Sequence, residues 1–252
     1  MEKRVLVCWS GGKNSTRAVY EYHTRGYKVT AVCYIPMFTK DIPLIDKEHY
    51  DFIMRCAKWF RSIGIKVVLL KGITYYDWCS RILKKGKYKG KVRGFPLFLK
   101  GKCGFACDGK IFTINEYFKK YTHCYSFIDI GLCADEYDRK LLKGKERSIL
   151  QELGITDKEC FYWCRDFHLL SSRYARSSRD GCLLCPHAKS IERVLFFQQY
   201  PEAFNLVLEL QRLQKEKCLH YPLRGKHWFI ENEEFLCGYG SQLSCLSDFV
   251  IY

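Results

Sequence analysis

The sequence predicts an α/β protein built on a Rossmann-like parallel sheet, and three observations carry that expectation. Short apolar runs rich in β-branched residues alternate with helical periodicity through the first 70 residues. A Ser-Gly-Gly turn joins the first apolar run to the first helical pattern. Hydrophobic residues make up 48% of the 252-residue chain and aromatics 16%, too much apolar mass for a disordered chain.

Residues 4–8 (RVLVC) read as a first strand that stops at Ser10-Gly11-Gly12. A helix follows from Asn14, with Gly26 as its C-terminal stop. Residues 28–35 read as a second strand. Phe52, Ile53, Cys56, Trp59, Phe60 and Ile63 mark the apolar face of a second helix that ends near Gly64, and residues 65–70 read as a third strand. This order points to βαβ units. A helix near 113–121 and a fourth strand at 125–131 extend the pattern. Residues 84–102, full of Lys and Gly, read as a surface loop. After residue 131 the alternation weakens, and GLCADEYDRKLLKGKER, CFYWCRDF and SSRYARSSRDGCLLCPH read as loops around the functional edge of the sheet. Residues 190–216 hold one or two amphipathic helices divided at Pro201. The expected division is a nucleotide-binding domain over 1–190 and a helical and irregular extension over 191–252.

The chain carries 42 Lys and Arg against 27 Asp and Glu, a net charge of +15, which attracts nucleotides, nucleic acid or other polyanions. No apolar run reaches the ~20 residues of a membrane span, and the N-terminus lacks a secretory h-region. A cytoplasmic protein with no membrane partner is expected. The fifteen cysteines are odd in number, so most are expected to be free thiols, with Cys8 and Cys33 as small buried hydrophobes.

Ser10-Gly11-Gly12-Lys13-Asn14-Ser15-Thr16 has the makings of a phosphate loop. Adjacent glycines let the backbone turn and approach a ligand closely. Loop N–H groups and a helix N-terminus converge on phosphate oxygens, and Ser10, Ser15 and Thr16 add hydroxyls. The Walker spacing is absent, and a plain strand-to-helix turn fits the same residues.

This SGGKNST segment resembles the pyrophosphate loop SGGxDS of the PP-loop ATP pyrophosphatase superfamily, and within it the phosphoadenosine phosphosulfate (PAPS) reductase-like family. The similarity continues through Gly94-Phe95-Pro96, Cys107 with Lys110-Ile111 and the helix ending at Tyr117. It extends to Gly131-Leu132-Cys133-Ala134-Asp135-Glu136 with Arg139, and to Arg179-Asp180-Gly181-Cys182-Leu183-Leu184-Cys185-Pro186. The resemblance implies an adenine-nucleotide alpha-hydrolase type of sheet. It also implies ATP or another adenine nucleotide bound by Ser10–Thr16, Lys110, Arg139 and Arg179, with Mg2+. Lys13, Asp135 and Glu136 are then the expected catalytic residues. Two departures stand out. Asn14 replaces the family's Asp, and the terminal E-C-G-x-H of sulfonucleotide reductases has no counterpart beyond Lys217-Cys218-Leu219-His220.

Cys182-x-x-Cys185 has a spacing that aims two thiolates at one point, with Gly181 permitting the turn. With Cys107, and Cys103 as a fourth donor, it reads as a [4Fe–4S] site. Zn2+, with His187 as an alternative ligand, and unligated thiols are the competing readings. Arg173, Arg176 and Arg179 recur every three residues and read either as phosphate ligands or as a solvated basic face. Lys84, Lys85, Lys87, Lys89, Lys91 and Arg93, with Tyr88 among them, read as a nucleic-acid track or a solvated loop. The function expected is ATP-dependent adenylation coupled to sulfur transfer. The alternatives are a sulfonucleotide reductase and a catalytically impaired nucleotide- or nucleic-acid-binding module.

Overall fold

A computed structural model describes residues 3–96, 98–99, 102–136, 142–175, 181–185, 188 and 190–217. Arg139, Arg176, Arg179, Pro186, His187 and everything after residue 217 lie outside the described residues.

The chain opens with Arg4–Cys8 (β1), Lys13–Thr24 (α1), Lys28–Tyr34 (β2), Lys47–Ser62 (α2) and Lys66–Leu70 (β3). Tyr75–Ser80 (α3) leads to a small antiparallel pair, Phe98–Leu99 (β4) and Lys102–Cys103 (β5). A π-helical turn, Ala106–Ile111, runs straight into Phe112–Tyr121 (α4). Phe127–Asp129 (β6), Glu146–Arg147 (β7), Ile149–Glu152 (α5) and Asp157–Asp166 (α6) follow. Ser190–Gln199 (α7) and Glu202–Lys217 (α8) are separated at Pro201.

Five strands form one parallel sheet in the order β3-β2-β1-β6-β7. This is the predicted α/β architecture. Val5, Leu6 and Val7 of the central strand are all fully buried, because helices cover both faces of a parallel sheet. Val5 and Val7 face α1, α2 and α6 in a core with Ala18, Val19, Phe52 and Phe60. Leu6 faces the other way, with Val32, Ile128 and the Tyr117 and Phe118 rings of α4. A second large core joins Phe38, Tyr75, Trp78 and Phe105 to Phe196, Ala203 and Val207 of α7 and α8.

The strand order reverses between β1 and β6. Chain leaving β1 turns toward β2, while β6 lies on β1's opposite side, so a crevice opens at their carboxyl ends. The loops after these two strands carry the Ser-Gly-Gly turn and the Gly131–Glu136 segment.

Two local expectations change. The fourth strand ends at Asp129, not at residue 131, because Gly131 turns away with φ 64°. Residues 157–166 form a helix where a loop was expected. Thr156 and Glu159 make a reciprocal capping box, and Cys160 and Cys164, one turn apart, are fully buried against the core.

Asp129 ties the end of β6 to its surroundings. Its carboxylate is fully buried and accepts hydrogen bonds from Tyr22 Oη (3.0 Å), Gly131 N (2.7 Å) and Ile149 N (2.7 Å). Burial outweighs these donors and raises its pKa to about 6. The folded protein therefore holds this proton more tightly than the unfolded chain does. The associated stability is complete below the ordinary value of 3.8 and is lost as pH rises through about 6. Denaturant titrations across that window should show wild type losing stability relative to Asp129→Asn. A pH-independent difference between the two would contradict the assignment.

Candidate nucleotide site

The turn after β1 is held from within. Gly11 adopts φ 79°, a conformation that favours glycine, and Gly12 returns to extended backbone (φ −77°, ψ 160°) as the N-cap of α1. Ser10 N–H donates to Ser15 Oγ (3.1 Å), and Ser15 Oγ donates to Gly12 O (3.1 Å). Gly12 N–H donates to Ser10 Oγ (3.2 Å), and Lys13 N–H donates to the Tyr174 hydroxyl (3.3 Å). Hydroxyl oxygens thus occupy loop N–H groups at a helix N-terminus, the positions that would receive the oxygens of an anion. Thr16 departs from the expected role. It is fully buried, and its hydroxyl accepts from Trp9 Nε1 (3.0 Å), so its side chain anchors the loop instead of facing a ligand.

One carboxylate dominates the loop's rim. Asp157, the first residue of α6, pairs with Lys13 Nζ at 2.7 Å and accepts from Asn14 Nδ2 at 2.9 Å. Asn14 Oδ1 is buried without a hydrogen-bond partner. Asp135 Oδ1 accepts from Asp157 N (3.0 Å), which links the loop after β6 to the start of α6. Glu136 turns back on its own loop, where Oε2 accepts from Cys133 N (3.1 Å). Gly131, also from that loop, lies so close to α1 that an added Cβ would stand 3.2 Å from Ser15 Cα. The structure therefore brings Ser10–Asn14, Asp135 and Asp157 together. Asp157 was absent from the sequence reading, although the capping pattern Thr156-x-x-Glu159 marks the helix that presents it.

A cavity of about 220 Å3 runs from Ser10 to the thiols. Trp9, Val32, Tyr34, Ile45, Ile53 and Phe105 give it apolar walls, and the exposed Lys110 stands at its edge. Cys103, Cys182 and Cys185 line it, as does Cys8, which is half-buried and also packs against the Leu6–Val32–Ile128 core. His49 is another lining residue that the sequence reading passed over. It is 1% exposed, with Nδ1 3.0 Å from Ser171 Oγ. The Tyr34 hydroxyl is buried without a hydrogen-bond partner. Burial raises the pKa of Tyr34 and of the Cys103 thiol.

The expected metal centre meets a different arrangement. All described cysteines are free thiols, and Cys107 sits on the π-helical turn outside the cavity lining. Among the described residues, no three His, Cys, Asp or Glu side chains are grouped closely enough to hold a metal ion. A [4Fe–4S] cluster takes three or four thiolates and a structural Zn2+ four Cys or His donors, and the described residues bring Cys103, Cys182 and Cys185 to one cavity without grouping three of them as ligands, while His187 lies outside the described residues. Mg2+ is a different case. It takes one or two carboxylates and completes its shell with substrate phosphates and water, so Asp157 and Asp135 fit it without a protein cage.

Arg173 also departs from expectation. It is 2% exposed and pairs with Glu192 (2.8 Å) and Asp46 (3.6 Å), so it braces the core and shares no open face with a ligand.

No family model matches the chain. Over 176 residues, which is 66% of this chain and 38% of the relative's length, it is 26% identical to an uncharacterized protein of Methanocaldococcus jannaschii. Among solved structures it is similar to a predicted subunit of tRNA methyltransferase from Methanocaldococcus jannaschii, with TM-score 0.35 and 15% identity over 65% of this chain and 74% of that one. It is also similar to a 4-thiouridine synthetase in complex with RNA and bound ATP, with TM-score 0.41 and 14% identity over 85% of this chain and 53% of that one.

Proposed function

We propose that this chain is a PP-loop enzyme that binds ATP, transfers AMP to an acceptor oxygen and releases pyrophosphate. The observation that carries this reading is the Ser10–Asn14 turn at the point where the strand order reverses, with the Gly12 and Lys13 N–H groups taken up by hydroxyl oxygens at the start of α1 and the Lys13 ammonium beside Asp157. Open α/β sheets bind ligands at such points.

Pyrophosphate oxygens would displace the Ser10 and Tyr174 hydroxyls from the N–H groups of Gly12 and Lys13. The Lys13 ammonium would meet the charge that develops on the leaving pyrophosphate. The cavity walls would take the apolar base and keep water from the reacting phosphate, and fixing both reactants there replaces a bimolecular encounter. Mg2+, when bound by Asp157 and Asp135, neutralises phosphate charge. Lys110 extends the cationic rim. Arg139 and Arg179, expected from the resemblance to hold nucleotide, are part of the proposal on sequence grounds alone.

Sulfur is the proposed second nucleophile. Cys103, Cys182 and Cys185 share a cavity with Ser10, and a hydrosulfide co-substrate bound there would attack the adenylated carbon, its C–S bond forming as the C–O bond to AMP breaks and its proton passing to solvent. No step is assigned to an iron–sulfur cluster or zinc.

Pyrophosphate release from ATP and Mg2+, with and without candidate acceptors, tests the reading. Asp157→Asn keeps the side chain's size and removes its charge, and it should lower Mg2+-dependent release about tenfold or more, or ~1.4 kcal/mol. Unchanged release in Asp157→Asn would remove this carboxylate from the mechanism. Sulfonucleotide reduction instead requires a thiol to attack bound PAPS and gives no pyrophosphate from ATP.

A further inference from the structure

Between Asp77 and Asp108 the chain has nine Lys or Arg residues and no Asp or Glu. The structure folds the middle of this stretch into a finger. Ile82 and Val92 form an antiparallel bridge, and Leu83 N–H donates to Lys91 O (2.9 Å) while Gly90 N–H donates to Leu83 O (2.8 Å). Gly86 and Gly90, at φ 83° and 82°, make the turns at its tip. Lys84, Lys85, Lys87 and Lys89 are exposed and Lys91 half-exposed, and none of the five makes an ion pair among the described residues. Tyr88 is exposed at the tip, with Lys87 Nζ 5.8 Å from its ring centroid. The base of the finger is fixed. Arg93 lies over the Trp78 ring at 4.3 Å and pairs with Asp108 at 2.7 Å, and Gly94 N–H donates to Cys79 O at 2.8 Å.

We infer that this finger is a docking surface for an unpaired segment of RNA. Five lysines held on one backbone-bonded hairpin present flexible point charges, which can follow a phosphate backbone without reading sequence. An exposed aromatic ring among them offers a face on which a base can stack, the pairing of features that single-strand binding uses. Unpaired, splayed bases are the usual protein targets of RNA, whereas duplex DNA offers none to stack. Pro96, three residues beyond Arg93, is in the wall of the thiol-lined cavity, so finger and cavity lie on one continuous stretch of chain. The inference does not depend on the nucleotide reading, because docking is measured without ATP.

The test is fluorescence anisotropy of a short unstructured RNA oligonucleotide over about 50 to 200 mM salt. Wild type should bind with a steep salt dependence. The combined variant Lys84→Gln, Lys85→Gln, Lys87→Gln and Lys89→Gln should bind at least ~10-fold more weakly and flatten the log–log slope by about 2 to 3. Tyr88→Ala should weaken the unpaired oligonucleotide roughly fivefold or more and leave duplex DNA unchanged. Lys58→Gln with Lys66→Gln, exposed cations on another part of the fold, is the charge control and should behave as wild type. Matched circular dichroism and melting profiles establish that the variants fold. Unchanged RNA affinity and slope in the quadruple variant would overturn the inference. So would finger-dependent binding to phosphatidylserine vesicles without finger-dependent binding to RNA, which would make the surface a membrane contact.

Discussion

Arg173→Met is expected to lower folding stability by about 3–5 kcal/mol. The Arg173 side chain is 3% exposed and bridges two buried carboxylates, Asp46 (0%) and Glu192 (8%). Asp46 also caps α2, accepting from Glu48 N (2.9 Å) and His49 N (3.3 Å), so the cation links the start of α2 to α7. Taking two charges from water is costly, and their attraction to a shared cation offsets that cost only while the cation is present. Removing Arg173 takes the shared counter-charge away from both buried carboxylates. Glu192→Gln added to Arg173→Met should recover part of the loss, since it removes one of the two stranded charges. Urea denaturation of the three proteins measures this. A loss under about 1 kcal/mol in the single variant would mean that solvent reaches the network and screens it.

Gly11→Ala is the second large effect, about 2–4 kcal/mol of destabilisation. A Cβ at Gly11 would stand 2.5 Å from Ile53 Cγ1 and 2.9 Å from its Cδ1, closer than packed atoms tolerate, and Ile53 is itself buried in the core. The left-handed backbone adds ~1–2 kcal/mol of strain for any L-residue. Gly26→Ala separates these terms, because Gly26 has φ 75° but open space around its Cβ position. It should show the backbone strain alone. Ile53 and His49 line the cavity, so the displacement in Gly11→Ala should also disturb ligand binding there. Equal losses in the two variants would mean that the loop accommodates a methyl group without moving α2.

These two residues mark where sequence reasoning reaches and where it stops. The Ser-Gly-Gly turn was legible because the demand is local: glycine, hydroxyls and a helix start within seven residues. The first three strands were legible for the same reason, since burial on both faces leaves near-continuous apolar runs such as Val5–Val7. Arg173 was not. Its partners are 127 positions upstream and 19 downstream, so its spacing from Arg176 and Arg179 suggested a basic face while packing turned it inward. α6 was missed because its buried stripe is carried by two cysteines, Cys160 and Cys164, while Tyr162 stays exposed, although Thr156 and Glu159 announced its N-terminus. Missing that helix also hid Asp157, whose place beside Lys13 and Asn14 comes from the packing of α6 on α1. The cysteine motif rests on its spacing and on the resemblance of Arg179–Pro186 to a family element. Spacing sets what a turn permits, and the described fold lines a cavity with these thiols without gathering three donors about one point.

The central claim is that the Ser10–Asn14 turn receives the phosphates of an adenine nucleotide, and calorimetric titration of ATP into wild type and Gly12→Val tests it most directly. Gly12 has φ −77° and ψ 160°, a conformation open to valine, so the variant fills the loop without straining its backbone. Gly12 is buried in the turn, where side-chain bulk would take the space of a phosphate oxygen. Wild type should bind one equivalent of ATP, and Gly12→Val, shown by circular dichroism to be folded at the titration temperature, should weaken that binding at least tenfold, ~1.4 kcal/mol. ATP binding of the same strength in Gly12→Val, or no ATP binding by folded wild type, would contradict the assignment of this loop.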